Sequence, residues 1–315
     1  MHEMTEHDVV ALIKAEYNLD VTDVSWHDSL YTSHVAARVK TRQGTFKLKR
    51  YSNRFLTLKQ LYGRYQTLSS LRILGVPKWH LTTDGAPSTL YRSKAYYLVD
   101  WVEGRSFQHS YDDAMALGLL LREVHVGTRS KEFQIPTLQH RLRPIMNAKE
   151  ILRRHRYRNL PVQVDRFLQR ESSFLQATMT RSVRTLTSLA GELEPKIVHG
   201  DVTIPNVLYQ GKKAILIDWE RVSLGYAMEE LAKTAMNTCN LSTGLADHLL
   251  QGYGWDAISE PMQTAFRAFL QIPREVIYLL HLSVRKPAGD AERAQWQLIM
   301  QTWRDRKAFF AHYEV

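Results

Sequence analysis

The sequence predicts an α+β protein of two parts: a β-rich first part carrying one long helix, and a mostly helical remainder with a few short strands. Three observations lead there. Apolar residues alternate along much of positions 1–100, a helical apolar period takes over from Tyr111, and the strand signals of the second part crowd into residues 196–218 as KIVHG, NVLYQ and AILID.

In order, Val9, Val10, Leu12 and Ile13 recur on a helical period over residues 5–17, and Val21, Val24 and Trp26 then alternate as in a strand. Val35, Ala37 and Val39 alternate through HVAARVK, Arg42, Gln43 and Gly44 make a turn, and Phe46 and Leu48 alternate through TFKLK, which together predict a hairpin. A helix is expected over about residues 53–74, with Leu58, Leu61, Tyr62, Tyr65, Leu68 and Leu71 on one face and Gly75 and Pro77 ending it. WHLTT and AYYLVDWV, separated by the Asp84–Gly85 turn, read as further strands. Beyond them AMALGLLLREVHV reads as a buried helix, residues 146–190 as two basic amphipathic helices, and residues 226–310 as helices broken near Gly252, Gly254, Pro273 and Pro287.

Composition bounds the chemistry. The chain has 315 residues, 44% of them hydrophobic, enough for a sizeable core, and no apolar run long enough to span a membrane. Its N-terminus has no basic start followed by an apolar core, so a cytoplasmic protein is expected. The single cysteine, Cys239, excludes an intrachain disulfide and a multi-cysteine zinc site. A formal charge of +10 favours anionic partners, and the excess is local: Arg141, Arg143, Lys149, Arg153, Arg154, Arg156 and Arg158 have only Glu150 as an acid among them. That run reads as a solvated helix face or as a surface for a phosphate-rich or acidic partner. No recognition-helix, zinc or aromatic RNA-binding pattern accompanies the charge, which argues against nucleic acid.

The informative stretch is VHGDVTIPNVLYQGKKAILIDWE, residues 198–220. Phosphoryl transfer from ATP needs a hold on the phosphates, oxygen ligands for Mg²⁺ and a carboxylate for the attacking hydroxyl. Asp201 can be that carboxylate, Asn206 can offer an amide oxygen, and Asp218, at the end of an apolar strand, can complete the metal's oxygen ligands. A turn at Gln210, Gly211 and Lys212 would bring Asn206 and Asp218 to one end of a hairpin. Chance would assemble this pattern in roughly one chain per thousand, so coincidence is a weak explanation. His199 reads as a loop brace more than a catalyst, Trp219 as packing beneath the site, and Glu220 as either a supporting group or an exposed side chain.

These residues resemble the aminoglycoside phosphotransferase and choline kinase superfamily, whose mark is His-Gly-Asp, an Asn five residues after the Asp, and then Ile-Asp-Phe or Ile-Asp-Trp. The resemblance implies a two-lobed protein-kinase-like fold, with a nucleotide-binding lobe over residues 1–100 and a helical catalytic and substrate lobe over 101–315. It implies an enzyme that binds ATP and Mg²⁺ between lobes and moves the γ-phosphoryl group to a hydroxyl of a small molecule or glycan. Asp201 is then the catalytic base, Asn206 and Asp218 the metal ligands, and Lys49 the contact to the α and β phosphates. Leu98, Val99, Asp100, Trp101 and Val102 form the hinge offered to adenine, with Gly104 letting the chain turn. Lys47 and Lys49 share one sheet face by alternation, and Lys47 is expected at the surface. Glu230, in SLGYAMEELAK, stands where Asp is usual and reads as structural. VKTRQGTFKLKRY, LGVPKWHLTTDG and YYLVDWVEGRSF are similar to the spore-coat protein S branch, which implies spore-coat proteins as partners and incorporation into the coat.

Two features depart from the pattern. Such enzymes pair the lysine with a glutamate on the first lobe's helix, yet no glutamate lies between Arg50 and Val102, and Gln60 or Gln66 offers only a neutral amide. Ser29, Thr32 and Ser33 stand where a Gly-rich loop is common, as phosphate contacts or plain turn residues. The alternative expectation is therefore a weak or inactive kinase-fold protein serving as a structural coat component. For the acceptor, Tyr253, Trp255, Asp256, Glu260 and Glu275 are candidates without an assigned pocket, and the basic run favours a neutral or anionic molecule.

Overall fold

The computed structural model describes residues 4–27, 36–51, 57–70, 76–126, 137–155, 157 and 160–314. Ser29, Thr32 and Ser33, and both ends of the helix expected over 53–74, lie outside the described residues. The chain divides into two compact units. One comprises Met1–Ser106, Ser130–Phe133 and Asn206–Val222; the other comprises Phe107–Arg129, Gln134–Pro205 and Ser223–Val315.

The first unit begins with α1 (Glu6–Tyr17), whose start is fixed by reciprocal bonds: the Thr5 hydroxyl accepts from the Asp8 N–H, and the Asp8 carboxylate accepts from the Thr5 N–H. There follow β1 (Val21–His27), β2 (Ala36–Thr41), β3 (Gly44–Arg50), α2 (Leu58–Ser70), β4 (Trp79–His80), β5 (Thr89–Tyr91), β6 (Lys94–Asp100) and β7 (Arg105–Ser106). The main sheet is antiparallel in the order β1-β2-β3-β6-β4, with β5 also on β6.

Strand alternation sorts this sheet into two functional faces. Ala37, Val39, Phe46, Leu48, Tyr96 and Leu98 pack with Val9, Ile13 and Tyr17 of α1, forming the unit's core. Burying each of the larger of these side chains contributes on the order of 2 kcal/mol. The intervening residues Lys47, Lys49, Tyr97 and Val99 take the opposite face, and the β3–β6 register sets Lys47 beside Val99 and Lys49 beside Tyr97.

The second unit is built from α3 (Tyr111–Val126), α4 (Leu138–Arg153), α5 (Val162–Ser188) and β8 (Pro195–Val198). The chain then contributes the hairpin β9 (Val207–Gln210) and β10 (Lys213–Leu216) to the first unit, where β7 pairs with β9. It returns as β11 (Ser223–Tyr226), paired with β8, and finishes with α6 (Ala227–Thr238), α7 (Thr243–Tyr253), α8 (Glu260–Leu270), α9 (Arg274–Arg285) and α10 (Asp290–His312). Helices α3 and α7 touch at glycines: a Cβ on Gly118 would lie 2.0 Å from the Leu249 carbonyl oxygen, and one on Gly252 would lie 2.0 Å from that of Met115. Only glycine fits either position.

The first basic helix starts at Leu138, capped by the Thr137 hydroxyl, eight residues earlier than the apolar pattern suggests, and Pro144 lies within it. Strands β5, β7 and β11 are also additions to the expected set. They span two to four residues each, too few for alternation to register. Among the described residues no helix is long and apolar enough to cross a membrane.

Candidate active site

The face of the main sheet opposite α1 opens into a pocket of about 350 Å³, lined by Lys47, Lys49, Tyr65, Tyr97, Val99, Trp101, Ile217 and Asp218 among others, all in the first unit. That volume lies in the range of small-ligand sites. Both lysines of β3 reach it, so Lys47 is not the surface residue expected from the sequence; the two-residue spacing that brings Lys49 to this face brings Lys47 as well.

Lys49 is 8% exposed and its ammonium is held by two carboxylates, Asp218 at 2.5 Å and Glu220 at 3.1 Å. Burial pulls its pKa down, but the two carboxylates outweigh burial and leave it above the ordinary lysine value. Lys47 goes the other way: burial, and then the neighbouring charge of Lys49, lower its pKa.

The carboxylates are set by a local backbone feature. Asp218 adopts a left-handed conformation, φ 68° and ψ 56°, before a single 3₁₀ turn at Trp219–Arg221. Trp219 is fully buried, its indole N–H donating to the Leu216 carbonyl, whereas Asp218 and Glu220 on either side of it both reach Lys49. Glu220 also accepts the Tyr97 hydroxyl. Tyr97 stacks on Trp79 with ring centroids 4.3 Å apart, and the Trp79 indole N–H donates to the Pro87 carbonyl.

The β9–β10 hairpin turns at Gly211, φ 59°, and pairs Leu216 with Val207. One step further the Ile217 N–H donates to the Asn206 carbonyl, so Asn206 and Asp218 stand at the same end of the hairpin. Gly104 is needed for a reason other than a turn: a Cβ there would lie 2.9 Å from the Leu208 Cβ and 3.1 Å from the Tyr209 carbonyl oxygen.

Of the five hinge residues, Val99, Asp100, Trp101 and Val102 line the pocket. Leu98 does not. It is fully buried in the core on the α1 side, cross-strand from Leu48 and His80. The Asp100 and Trp101 N–H groups are taken by the Lys78 and Thr45 carbonyls. Neither glutamine named for Lys49 faces it: the Gln60 side chain caps α2 by accepting from the Thr57 N–H, and Gln66 donates to the Tyr62 hydroxyl. The α2 residue that reaches the pocket is Tyr65, 3% exposed.

Asp201 belongs to the second unit, at the exit of β8, on a loop braced from α6. The Glu230 carboxylate accepts from the backbone N–H groups of His199 and Gly200 and pairs with the His125 imidazole at 3.0 Å. Burial raises the Glu230 pKa, but His125, His199 and the Gly200 N–H overcome it and hold it below the ordinary value. His199 is fully buried, and its Nδ1 accepts from the Asp201 N–H at 3.3 Å, a bracing role. Gly200 takes φ 84°, a conformation that suits glycine.

The acceptor candidates do not converge. Tyr253 bonds His125, Trp255 packs on Phe266, and Glu275 pairs with Arg306. The basic run divides too: Arg153 and Arg154 pair with Glu150, while Arg141 turns towards Glu229, which also receives Lys233 at 2.9 Å and Arg274 at 3.2 Å.

Residues 29–300 match the phosphotransferase enzyme family. The chain belongs to that family. No curated protein matches it in sequence. Among solved structures, an aminoglycoside phosphotransferase from Alicyclobacillus acidocaldarius is similar with a TM-score of 0.76 at 18% identity, covering 95% of this chain and 94% of that one. A spectinomycin phosphotransferase in complex with ADP and spectinomycin gives 0.68 at 13% identity, covering 98% and 99%. The choline kinase LicA from Streptococcus pneumoniae gives 0.61 at 12% identity, covering 96% and 99%. The likeness is one of fold, and this member of the family has the two-lobed, protein-kinase-like α+β fold.

Proposed function

We propose that the protein is an ATP- and Mg²⁺-dependent phosphotransferase that moves the γ-phosphoryl group to a hydroxyl of a small molecule or glycan. The observation that carries this reading is the Lys49–Asp218 ion pair inside a pocket of nucleotide size. Val99 to Val102 would offer adenine a pocket wall, and Lys49 would hold the α and β phosphates. Asn206 and Asp218 supply one amide and one carboxylate oxygen. That hard, sparse donor set would suit Mg²⁺, which takes oxygen ligands. Bound Mg²⁺ would neutralise charge on the β and γ phosphates. Asp201 takes the acceptor hydroxyl's proton, on a loop held by Glu230. The spectinomycin phosphotransferase, described with ADP and a small-molecule acceptor, supports the same pairing of substrates.

The acceptor is neutral or anionic. Arg141, Lys233 and Arg274 converge on the Glu229 carboxylate, more cations than it neutralises, in the unit that carries Asp201. Faster phosphorylation of polycationic aminoglycosides than of neutral or anionic sugars would contradict this. The similarity to the spore-coat branch supports a cytoplasmic protein that acts in forming the spore envelope, by modifying a coat component or by being one.

The test is calorimetric titration of ATP with and without Mg²⁺. Magnesium-dependent binding that Asp218→Ala abolishes, together with an Asp201→Asn variant that binds ATP but does not turn over, is the expected result. No binding to the wild type at millimolar ATP would transfer the reading to a structural coat protein.

A further inference from the structure

The lysine that a nucleotide site depends on here has no glutamate on α2 to hold it, yet it is buried. An ammonium with a 10% exposed side chain needs a permanent partner, because desolvation without one costs several kcal/mol. Asp218 is the shorter of its two contacts, but Asp218 is also the carboxylate assigned to the metal. A carboxylate that turns to a divalent cation cannot remain the chief partner of an ammonium, so a second protein anion is needed to keep Lys49 in place for the phosphates.

We propose that Glu220 is that anion: it is the positioning residue that anchors Lys49 when Asp218 engages the metal, which moves the anchoring carboxylate from the helix to the turn that follows Asp218. The inference rests on the nucleotide reading above. Glu220 lies 3.1 Å from the Lys49 ammonium with its own side chain only 14% exposed. It is fixed from behind by the Tyr97 hydroxyl, and Tyr97 is fixed by its stack on Trp79. The left-handed backbone at Asp218 makes the arrangement possible, since the two carboxylates flanking buried Trp219 then reach the same ammonium.

The vacant place on α2 has an occupant that fits this division. Tyr65 lies in the pocket lining, buried, and bonds the backbone of Trp219, the residue between the two carboxylates. A helix residue thus steadies the turn that carries the anchor instead of being the anchor. The charges balance in the empty pocket, where Lys47 and Lys49 face Asp218 and Glu220; a nucleotide that draws Asp218 to its metal would bring its own phosphates to the ammonium groups that Glu220 then holds.

The experiment compares wild type, Glu220→Gln and Asp218→Ala by two binding measurements: Mn²⁺ alone, followed by electron paramagnetic resonance of the free ion, and Mg²⁺–ADP, followed by calorimetry. Glutamine keeps an acceptor for the Tyr97 hydroxyl and removes only the charge. The expected result is that Glu220→Gln binds Mn²⁺ within about twofold of wild type but Mg²⁺–ADP about tenfold more weakly or worse. Asp218→Ala should lose both Mn²⁺ and Mg²⁺–ADP.

Equal loss of Mn²⁺ in the two variants would make Glu220 a metal ligand and overturn the proposal. Unchanged ADP affinity in Glu220→Gln would overturn it too, while leaving the nucleotide reading intact; failure of the wild type to bind Mg²⁺–ADP would remove both. If Glu220→Gln lacks a cooperative melt, wild type answers the question through acetic anhydride labelling of Lys49 read by mass spectrometry. Continued protection in saturating Mn²⁺ is expected, and reactivity rising to that of an exposed lysine would mean that Asp218 alone had held it.

Discussion

Replacing Glu230 by glutamine should destabilise the protein by about 3 kcal/mol. The carboxylate serves three donors: one oxygen takes the His125 imidazole and the His199 N–H, and the other takes the Gly200 N–H. An amide has one acceptor oxygen. Whichever way it turns, its NH₂ faces a backbone N–H, leaving that donor without an acceptor in a site only 5% exposed. One orphaned buried N–H costs about 1–3 kcal/mol, and conversion of the remaining charge-assisted bonds to neutral ones adds about 1 kcal/mol. His125 can exchange tautomers with the Tyr253 hydroxyl as relay, so its bond is retained and does not enter the sum. Urea denaturation gives the number directly. The pH dependence supplies a second check: the folded pKa of Glu230 lies below its ordinary value, so its stabilisation is present above the ordinary carboxyl range and is lost as pH falls through the folded pKa. Glu230→Gln should lack that part of the acid limb. A midpoint change worth less than about 1 kcal/mol would refute the claim that this carboxylate braces the Asp201 loop.

Gly252→Ala should cost about 2–3 kcal/mol, since its Cβ would meet the Met115 carbonyl at 2.0 Å and α3 and α7 must part. Gly118→Ala acts on the same crossing, so the double variant should melt less far below wild type than the two single shifts added together. Lys47→Met should have effects of opposite sign, stabilising the fold by removing a half-buried like charge beside Lys49 while weakening Mg²⁺–ADP binding by about tenfold. The Glu229 carboxyl is raised by burial but held at about 2 by Lys233, Arg274 and Arg141, against an ordinary value of 4.5. Its stabilisation, on the order of 3 kcal/mol, is therefore complete above pH 4.5 and lost towards pH 2, and Glu229→Gln should flatten acid denaturation over that interval.

What was legible in the sequence is what local periodicity encodes. Alternation in TFKLK separates Phe46 and Leu48 from Lys47 and Lys49, and the hairpin turn near Gly211 brings the ends of β9 and β10 together. The same parity could have removed Leu98 from the hinge, because it alternates with Tyr97 and Val99 and must share the core with Leu48. Glu220 and Tyr65 carried no such signal. One follows a strand end and the other sits on a helix face that reads as core, and their convergence on Asp218 and Lys49 is a long-range contact. Charge runs are equally mute about direction: Arg153 and Arg154 turn to Glu150 on their own helix, while Arg141 crosses to Glu229.

The division of β3 between core and pocket makes folding and ligand recognition interdependent. If β3 slipped by one residue against β6, both lysines would be driven against α1 and Phe46 and Leu48 would be delivered to the pocket. A misregistered sheet is thus also a sheet without its binding face. Any ligand that uses Lys49 rewards only one alignment of the strands, and so acts as a proofreader of the sheet that binds it.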